Sequence, residues 1–159
     1  MSNNHSSGEA RQRGEAMKPY RGLTKEGEWV YGWHIVAFGK HYIYEGGSDN
    51  WEGKWGGEGT THDLLTMLLG FVEVLPETVG QSTGLQDKNG KELDWYKGDL
   101  FKHHYCDYPL EIVFEEGCIW FQAIGANVRY LPSSLLNTSP PLKKIGDIHT
   151  TPELMEAKQ

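Results

Sequence analysis

Leu85-Gln86-Asp87-Lys88-Asn89-Gly90-Lys91-Glu92-Leu93 lies inside the longer run from Pro76 to Asp99, around which the rest of the chain is built. Asn-Gly between two short alternating segments is a strong local hairpin signal. Two registers are open. A two-residue turn on Asn89-Gly90 sets Lys88 against Lys91 and Leu93 against Gln86, a like-charge pair and an apolar side chain facing a polar one. A three-residue loop, with a type I turn and Gly90 left-handed at a bulge, pairs Asp87 with Lys91, Gln86 with Glu92 and Leu85 with Leu93. The second wins on charge and on burial, so Leu85 and Leu93 are expected to share a buried face and Gly90 to serve the backbone.

On the N-terminal side the pattern predicts an antiparallel sheet layer over residues 18–75. From Glu28, Trp29, Tyr31, Trp33 and Ile35 fall on one face of a strand and Val30, His34, Val36 and Phe38 on the other. Both faces carry apolar groups, so the strand is expected to be covered on both sides. Gly39-Lys40, with Gly first, suits a type II′ turn and returns the chain through His41 to Tyr44. Residues 46–59 are too glycine-rich for helix or long strand and read as a loop bearing Trp51 and Trp55. Thr61 can cap a short helix ended by Gly70, although its apolar run suits a strand equally. Phe71 to Leu75 is the next strand. Residues 1–17 are polar and aperiodic, and read as a disordered leader.

Beyond the central hairpin, Asp99–Tyr105, Leu110–Phe114, Ile119–Ile124 and Leu142–His149 read as strands, with one helical turn over Ser133–Leu136. Glu115-Glu116-Gly117 is expected to form a second three-residue loop, setting Phe114 opposite Cys118 and Ile112 opposite Trp120. Short strands at turn-punctuated intervals over Val79–Ile148 are what a small closed barrel requires, because closure removes exposed edges. Alternation alone does not separate a barrel from a sandwich.

The 159 residues suffice for a core without metal or disulfide staples, in one domain or two small abutting ones. A net charge of −7 disfavours non-specific attraction to phosphate backbones. No stretch of eighteen apolar residues exists and the N-terminus is polar, from which a cytoplasmic protein without a membrane span is expected. Cys106 and Cys118 are the only thiols and are expected reduced.

Thr78-Val79-Gly80-Gln81, Thr83-Gly84-Leu85, Asp87-Lys88-Asn89-Gly90-Lys91-Glu92 and Tyr96-Lys97-Gly98-Asp99 resemble the signature of the YopX family of phage and prophage proteins. Tyr20-Arg21-Gly22 with Gly27-Glu28-Trp29-Val30-Tyr31-Gly32 is similar to the family's opening, and Ile145-Gly146-Asp147-Ile148 with Pro152-Glu153-Leu154 to its close. Ser82 stands where the family usually has an aromatic residue, Asp94-Trp95 look inserted, and Asp147 and His149 replace Asn and Tyr. The resemblance implies a β-rich, intracellular, phage-associated protein that self-associates, with a closed C-terminal barrel of the Src-homology-3 type over residues 76–155. It implies no activity that could be carried over residue by residue.

The residues themselves point to binding before catalysis. Trp51 and Trp55, with Tyr42 and Tyr44, make a candidate aromatic platform. Its neighbours Glu45, Asp49, Glu52, Glu58 and Asp63 outnumber Lys54, which favours a protein partner over nucleic acid. Both rings could instead fold back into the core. Nucleic-acid binding would need a local basic face, drawn from Lys18, Arg21, Lys25 and Lys40. His104 and Cys106, with Cys118 across a hairpin, are the nearest approach to a zinc site, but ordinary strand residues are the preferred reading, and no metal or cofactor is expected. No nucleophile elbow, phosphate loop or His-Glu-x-x-His motif is present, so no catalytic residue is assigned. Asp99 after Gly98 is the best candidate for a turn-stabilising carboxylate.

Overall fold

Alternation in the N-terminal third does produce antiparallel strands: β1 (Tyr20–Leu23), β2 (Trp29–Ala37), β3 (Lys40–Tyr44) and β4 (Phe71–Val74), with β5 (Gly80–Gln81) added after a 3₁₀ turn at Pro76–Thr78. The computed structural model describes residues 18–46 and 70–156. The leader at 1–17, the segment read as helix at 61–69, and Trp51 and Trp55 lie outside them. The first sheet has the order β4-β3-β2-β1-β5. A ladder therefore crosses the boundary expected at 75–76, because β5 pairs with β1 through Tyr20↔Gln81 and Arg21↔Gly80.

The second sheet, ordered β10-β6-β7-β8-β9, contains β6 (Asp99–His103), β7 (Cys106–Glu115), β8 (Cys118–Ala123), β9 (Arg129–Tyr130) and β10 (Lys143–Asp147). A single helical turn, α1 (Pro132–Leu135), starts at a proline whose missing N–H falls where no helical partner exists. All pairings in both sheets are antiparallel, so the chain is mainly β with one short described helix. The ladders among the described residues stop short of joining β9 to β10.

The central hairpin takes the three-residue register. The Asp87 N–H donates to the Lys91 carbonyl (2.8 Å), the Leu93 N–H to the Leu85 carbonyl (2.8 Å), and Gln86 bridges Glu92. Asp87 Oδ1 accepts the Asn89 and Lys91 N–H groups across the turn, and Gly90 has φ +77°. Leu85 and Leu93 are neighbours but only half-buried. The arm is held by the isolated bridges Gln86↔Glu92 and Ser82↔Tyr96 and is built into neither sheet, so its apolar face is covered only in part.

Two other turns correct the sequence reading. The β2–β3 loop is Phe38-Gly39, with Ala37 opposite Lys40, and the β7–β8 loop is Glu116-Gly117, with Glu115 opposite Cys118. In both, a non-glycine residue (φ 53° and 52°) precedes a glycine (φ 73° and 77°), a type I′ arrangement whose twist matches that of its strands. Shifting β7–β8 by one position places Ile112 opposite Phe121, not Trp120, and Leu110 opposite Ala123. All four are buried in one cluster with Phe101, Leu135 and Leu142. A one-residue slip would turn half of that set outward, so burial sets the register and outweighs the strain at Glu116. Trp95, one of the apparently inserted pair, packs its ring edge-on against Phe101 and Phe121 at centroid distances of 4.6 and 6.2 Å.

The first sheet has a smaller core of Val30, Ile43 and Val74, and a polar contact links it to the second sheet. Arg21 on β1 is 3% exposed and Asp99 at the start of β6 is 0% exposed. Arg21 Nη1 lies 2.8 Å from Asp99 Oδ1, an ion pair whose angle falls outside hydrogen-bonding geometry, and Arg21 Nε has no hydrogen-bond partner. The guanidinium sits over the Trp29 ring at 4.2 Å and the Tyr96 ring at 5.2 Å. Asp99 Oδ2 accepts the Tyr96 N–H (2.8 Å) and pairs with Lys144 Nζ (2.7 Å). The carboxylate thus does hold its own turn, as the sequence implied, and bridges the sheets as well.

Removing one member of a buried pair strands the other, so Asp99→Ala is expected to lower the unfolding free energy by about 3–5 kcal/mol in urea titrations. The double replacement Arg21→Met with Asp99→Leu loses much less than the two single changes added together. A Cβ at Gly90 would meet nothing within 4 Å. Gly90→Ala therefore isolates the backbone term, and a loss of about 1–2 kcal/mol in the same assay is expected.

Candidate functional site

The aromatic platform assembles only in part among the described residues. Tyr42 is 1% exposed and belongs to the interior, because its side of β3 faces the sheet junction. Tyr44 is half-buried against Phe71, with ring centroids 4.9 Å apart. The basic face does not assemble as drawn. Arg21 is inside the fold, and Lys25 and Lys40 both lie against the Glu73 carboxylate at 3.8 and 3.0 Å. Lys18 is exposed, its Nζ 6.0 Å above the Tyr31 ring.

The exposed apolar surface that does form lies elsewhere. β1 pairs with β2 only from Trp29 to Gly32, whereas β2 continues to Ala37 paired with β3 on its other side. From Trp33 to Ala37, nothing among the described residues occupies the edge that β1 leaves. Trp33, Val36 and Phe38 are 63%, 58% and 79% exposed there, so the expectation that both faces are covered holds only for the first half of the strand. Pro19 cannot donate to the ladder, its carbonyl accepts the Ser82 N–H, and the Lys18 carbonyl accepts the Tyr96 hydroxyl (2.9 Å), so the chain before β1 turns away. The mismatch between the long Trp29–Phe38 run and the short Tyr20–Leu23 run was the one signal of this overhang in the sequence.

The residues considered for zinc are separated. His104 and Tyr105 form the β6–β7 turn, not part of a strand, with His103 opposite Cys106. Cys118 pairs with Glu115 at the far end of the ten-residue β7, roughly 30 Å of extended chain from Cys106. The Cys106 thiol lies by the Tyr130 hydroxyl, whose pKa is raised by burial and then by that thiol. Among the described residues no group of three or more His, Cys, Asp or Glu side chains is placed to hold a metal ion.

Three histidines have their pKa lowered by their surroundings. His103 is buried, its Nδ1 accepting the Tyr105 N–H (3.3 Å) and its Nε2 lying 2.9 Å from Thr138 Oγ1, which donates to the Leu135 carbonyl. These partners fix the Nε2–H tautomer. Burial, then the neighbouring His104, lower its pKa. His34 and His41 stack at 5.0 Å with Nε2 of the first 3.0 Å from Nδ1 of the second, and burial followed by His41 lowers the pKa of His34. His149, beside Trp29, is lowered chiefly by burial. Asp147 would be raised by burial, but hydrogen bonds from the Thr150 hydroxyl and the Thr150 and His149 N–H groups, with Arg21 nearby, hold it below the ordinary carboxylate range.

A half-open groove of about 670 Å³ runs between β7, β10 and the 3₁₀ turn at Pro152–Met155, with Pro109, Ile145 and Leu154 among its walls and Lys102 and Glu153 at its sides. Among the described residues its lining includes no serine, cysteine or histidine. No described helix is long and apolar enough to cross a membrane.

A family model described as YopX protein matches residues 20–156. No curated protein and no solved structure matches the chain.

The histidine shifts carry a sign. A histidine whose folded pKa lies below its unfolded value, near 6.5, binds fewer protons in the native state, so stability is complete above that value and is lost as pH falls through it. The urea midpoint is therefore expected to fall between about pH 7.5 and pH 5.5. His103→Gln, measured at the same two pH values, flattens that dependence.

Proposed function

The chain belongs to the YopX family, and on that footing we propose that it is a non-catalytic protein-interaction module of phage or prophage origin, working in the host cytoplasm. Its partner is a host or phage protein, and copies of the chain also associate with one another. The second sheet is read as the wall of a small closed barrel of the Src-homology-3 type. The two-residue turns on either side of β7 and the single cluster around Phe101 and Phe121 support that reading.

The observation that carries the proposal is the edge of β2 from Trp33 to Ala37, which is unpaired among the described residues. The run Trp33-His34-Ile35-Val36-Ala37-Phe38-Gly39 contains no Lys, Arg, Asp, Glu or Pro. Sheet edges open to solvent are ordinarily blunted by such residues, because free N–H and C=O groups template pairing with another chain. Here no described residue pairs with the edge, which carries large exposed apolar side chains that suit strand addition by a partner. Trp51 and Trp55 are a second contact in this reading, following from the acidic, tryptophan-bearing segment they occupy.

Affinity capture from host lysate tests the two surfaces separately. Val36→Lys with Trp33→Ser is expected to abolish capture of the partner held by the wild-type chain, and Trp51→Ala with Trp55→Ala to weaken it. Sedimentation velocity on the same variants reads self-association. Capture that survives the β2 changes in a folded protein removes that edge as the contact.

A further inference from the structure

We propose that His34 and His41 form a two-nitrogen chelate for a borderline divalent cation of the Cu²⁺, Ni²⁺ or Zn²⁺ kind, on the exposed end of the β2–β3 hairpin. This goes beyond the interaction reading and stands without it.

The ladder fixes the geometry. Val36 opposes His41 and His34 opposes Ile43, so the two histidines are diagonal neighbours on one face of an antiparallel pair closed by a two-residue turn. His34 Nε2 and His41 Nδ1 lie 3.0 Å apart with ring planes at 29°. Two nitrogens bound at 2.0–2.1 Å to one ion lie about 2.9 Å apart when cis in a square plane and about 3.3 Å apart in a tetrahedron. The pair already spans that distance on strands held in register by the ladder, so the backbone loses little further ordering entropy on binding, and the rings turn from the hydrogen-bonded arrangement to aim both lone pairs at one ion.

The chemistry selects the ion. Neutral imidazoles suit Zn²⁺, Cu²⁺ and Ni²⁺, whereas Mg²⁺ and Ca²⁺ want oxygen. Burial and mutual proximity disfavour protonation of His34, which keeps its nitrogen available near neutral pH. Without metal, one ring donates the single hydrogen between the two nitrogens. Binding moves that hydrogen to the other nitrogen of the same ring through solvent, with no net proton release and no change in oxidation state. The remaining coordination positions fall to water. Tyr20, whose ring is 5.6 Å from His34, is the aromatic neighbour on the same face.

Copper titration of the full chain at about pH 7.5, followed by electron paramagnetic resonance, is expected to give a first equivalent with coupling to two nitrogens. His34→Gln and His41→Gln keep hydrogen-bonding capacity but break the chelate, and each should weaken that equivalent on the order of a hundredfold. His104→Gln should leave it unchanged. A measurement on wild-type protein alone covers variants that fail to fold: sub-stoichiometric Cu²⁺ should broaden the ¹⁵N ring signals of His34 and His41 before those of the other five histidines. An undiminished first equivalent in the folded Gln variants, or broadening that begins at another histidine, overturns the site and leaves a hydrogen-bonded pair only.

Discussion

The structure turns on the buried contact between Arg21 and Asp99. An arginine on the first strand and an aspartate at the start of the sixth are brought out of water together, and the guanidinium is held between Trp29 and Tyr96. Such a pair is weak as a source of stability, because desolvation offsets most of the attraction, and here Arg21 Nε is left without a partner. Its effect is to select one arrangement. The two sheets can meet only where the positive group finds its carboxylate, and Lys144 on β10 reaches the same carboxylate from another side. The Ile148 N–H to Gly98 carbonyl bond and the Gly98 N–H to Ile112 carbonyl bond then fix the turn before Asp99 against both β7 and the end of β10.

What could be read in the sequence was what local chemistry decides. The turn at Gly90 followed from comparing charge and apolar pairs in two registers, and both terms act within nine residues. The turns at Phe38-Gly39 and Glu116-Gly117 were misread because their register is set from outside. In the β7–β8 hairpin, the choice between Trp120 and Phe121 opposite Ile112 depends on Phe101, Leu135 and Leu142, none of which lies in the hairpin. The same limit applies to the polar residues. Arg21 counted as a surface cation because its partner is remote in sequence, and Tyr42 as a surface aromatic because alternation shows two faces without telling which one meets another sheet. Asp99 was legible in its local role, since Tyr96 is three residues away, and illegible in its long-range one.

Both candidate sites lie on one piece of the fold for one geometric reason. β1 begins only at Tyr20, opposite Gly32, while β2 runs on, so the β2–β3 hairpin overhangs the sheet that anchors it. The overhang leaves along its side a strand edge that no described residue pairs, and presents two imidazoles on its face. Tight packing elsewhere makes this contrast possible. In the body of the same sheet, a Cβ at Gly32 would sit 1.9 Å from the Tyr44 carbonyl oxygen, which leaves no room for any side chain.

The stitch between the Lys18 carbonyl and the Tyr96 hydroxyl spans 78 positions. During synthesis, at about 5–20 residues per second, the first two strands therefore leave the ribosome several seconds before Tyr96 and the second sheet exist. Throughout that interval the nascent Trp29 and Tyr31 rings are without His149 and Tyr96, the residues they finally lie against.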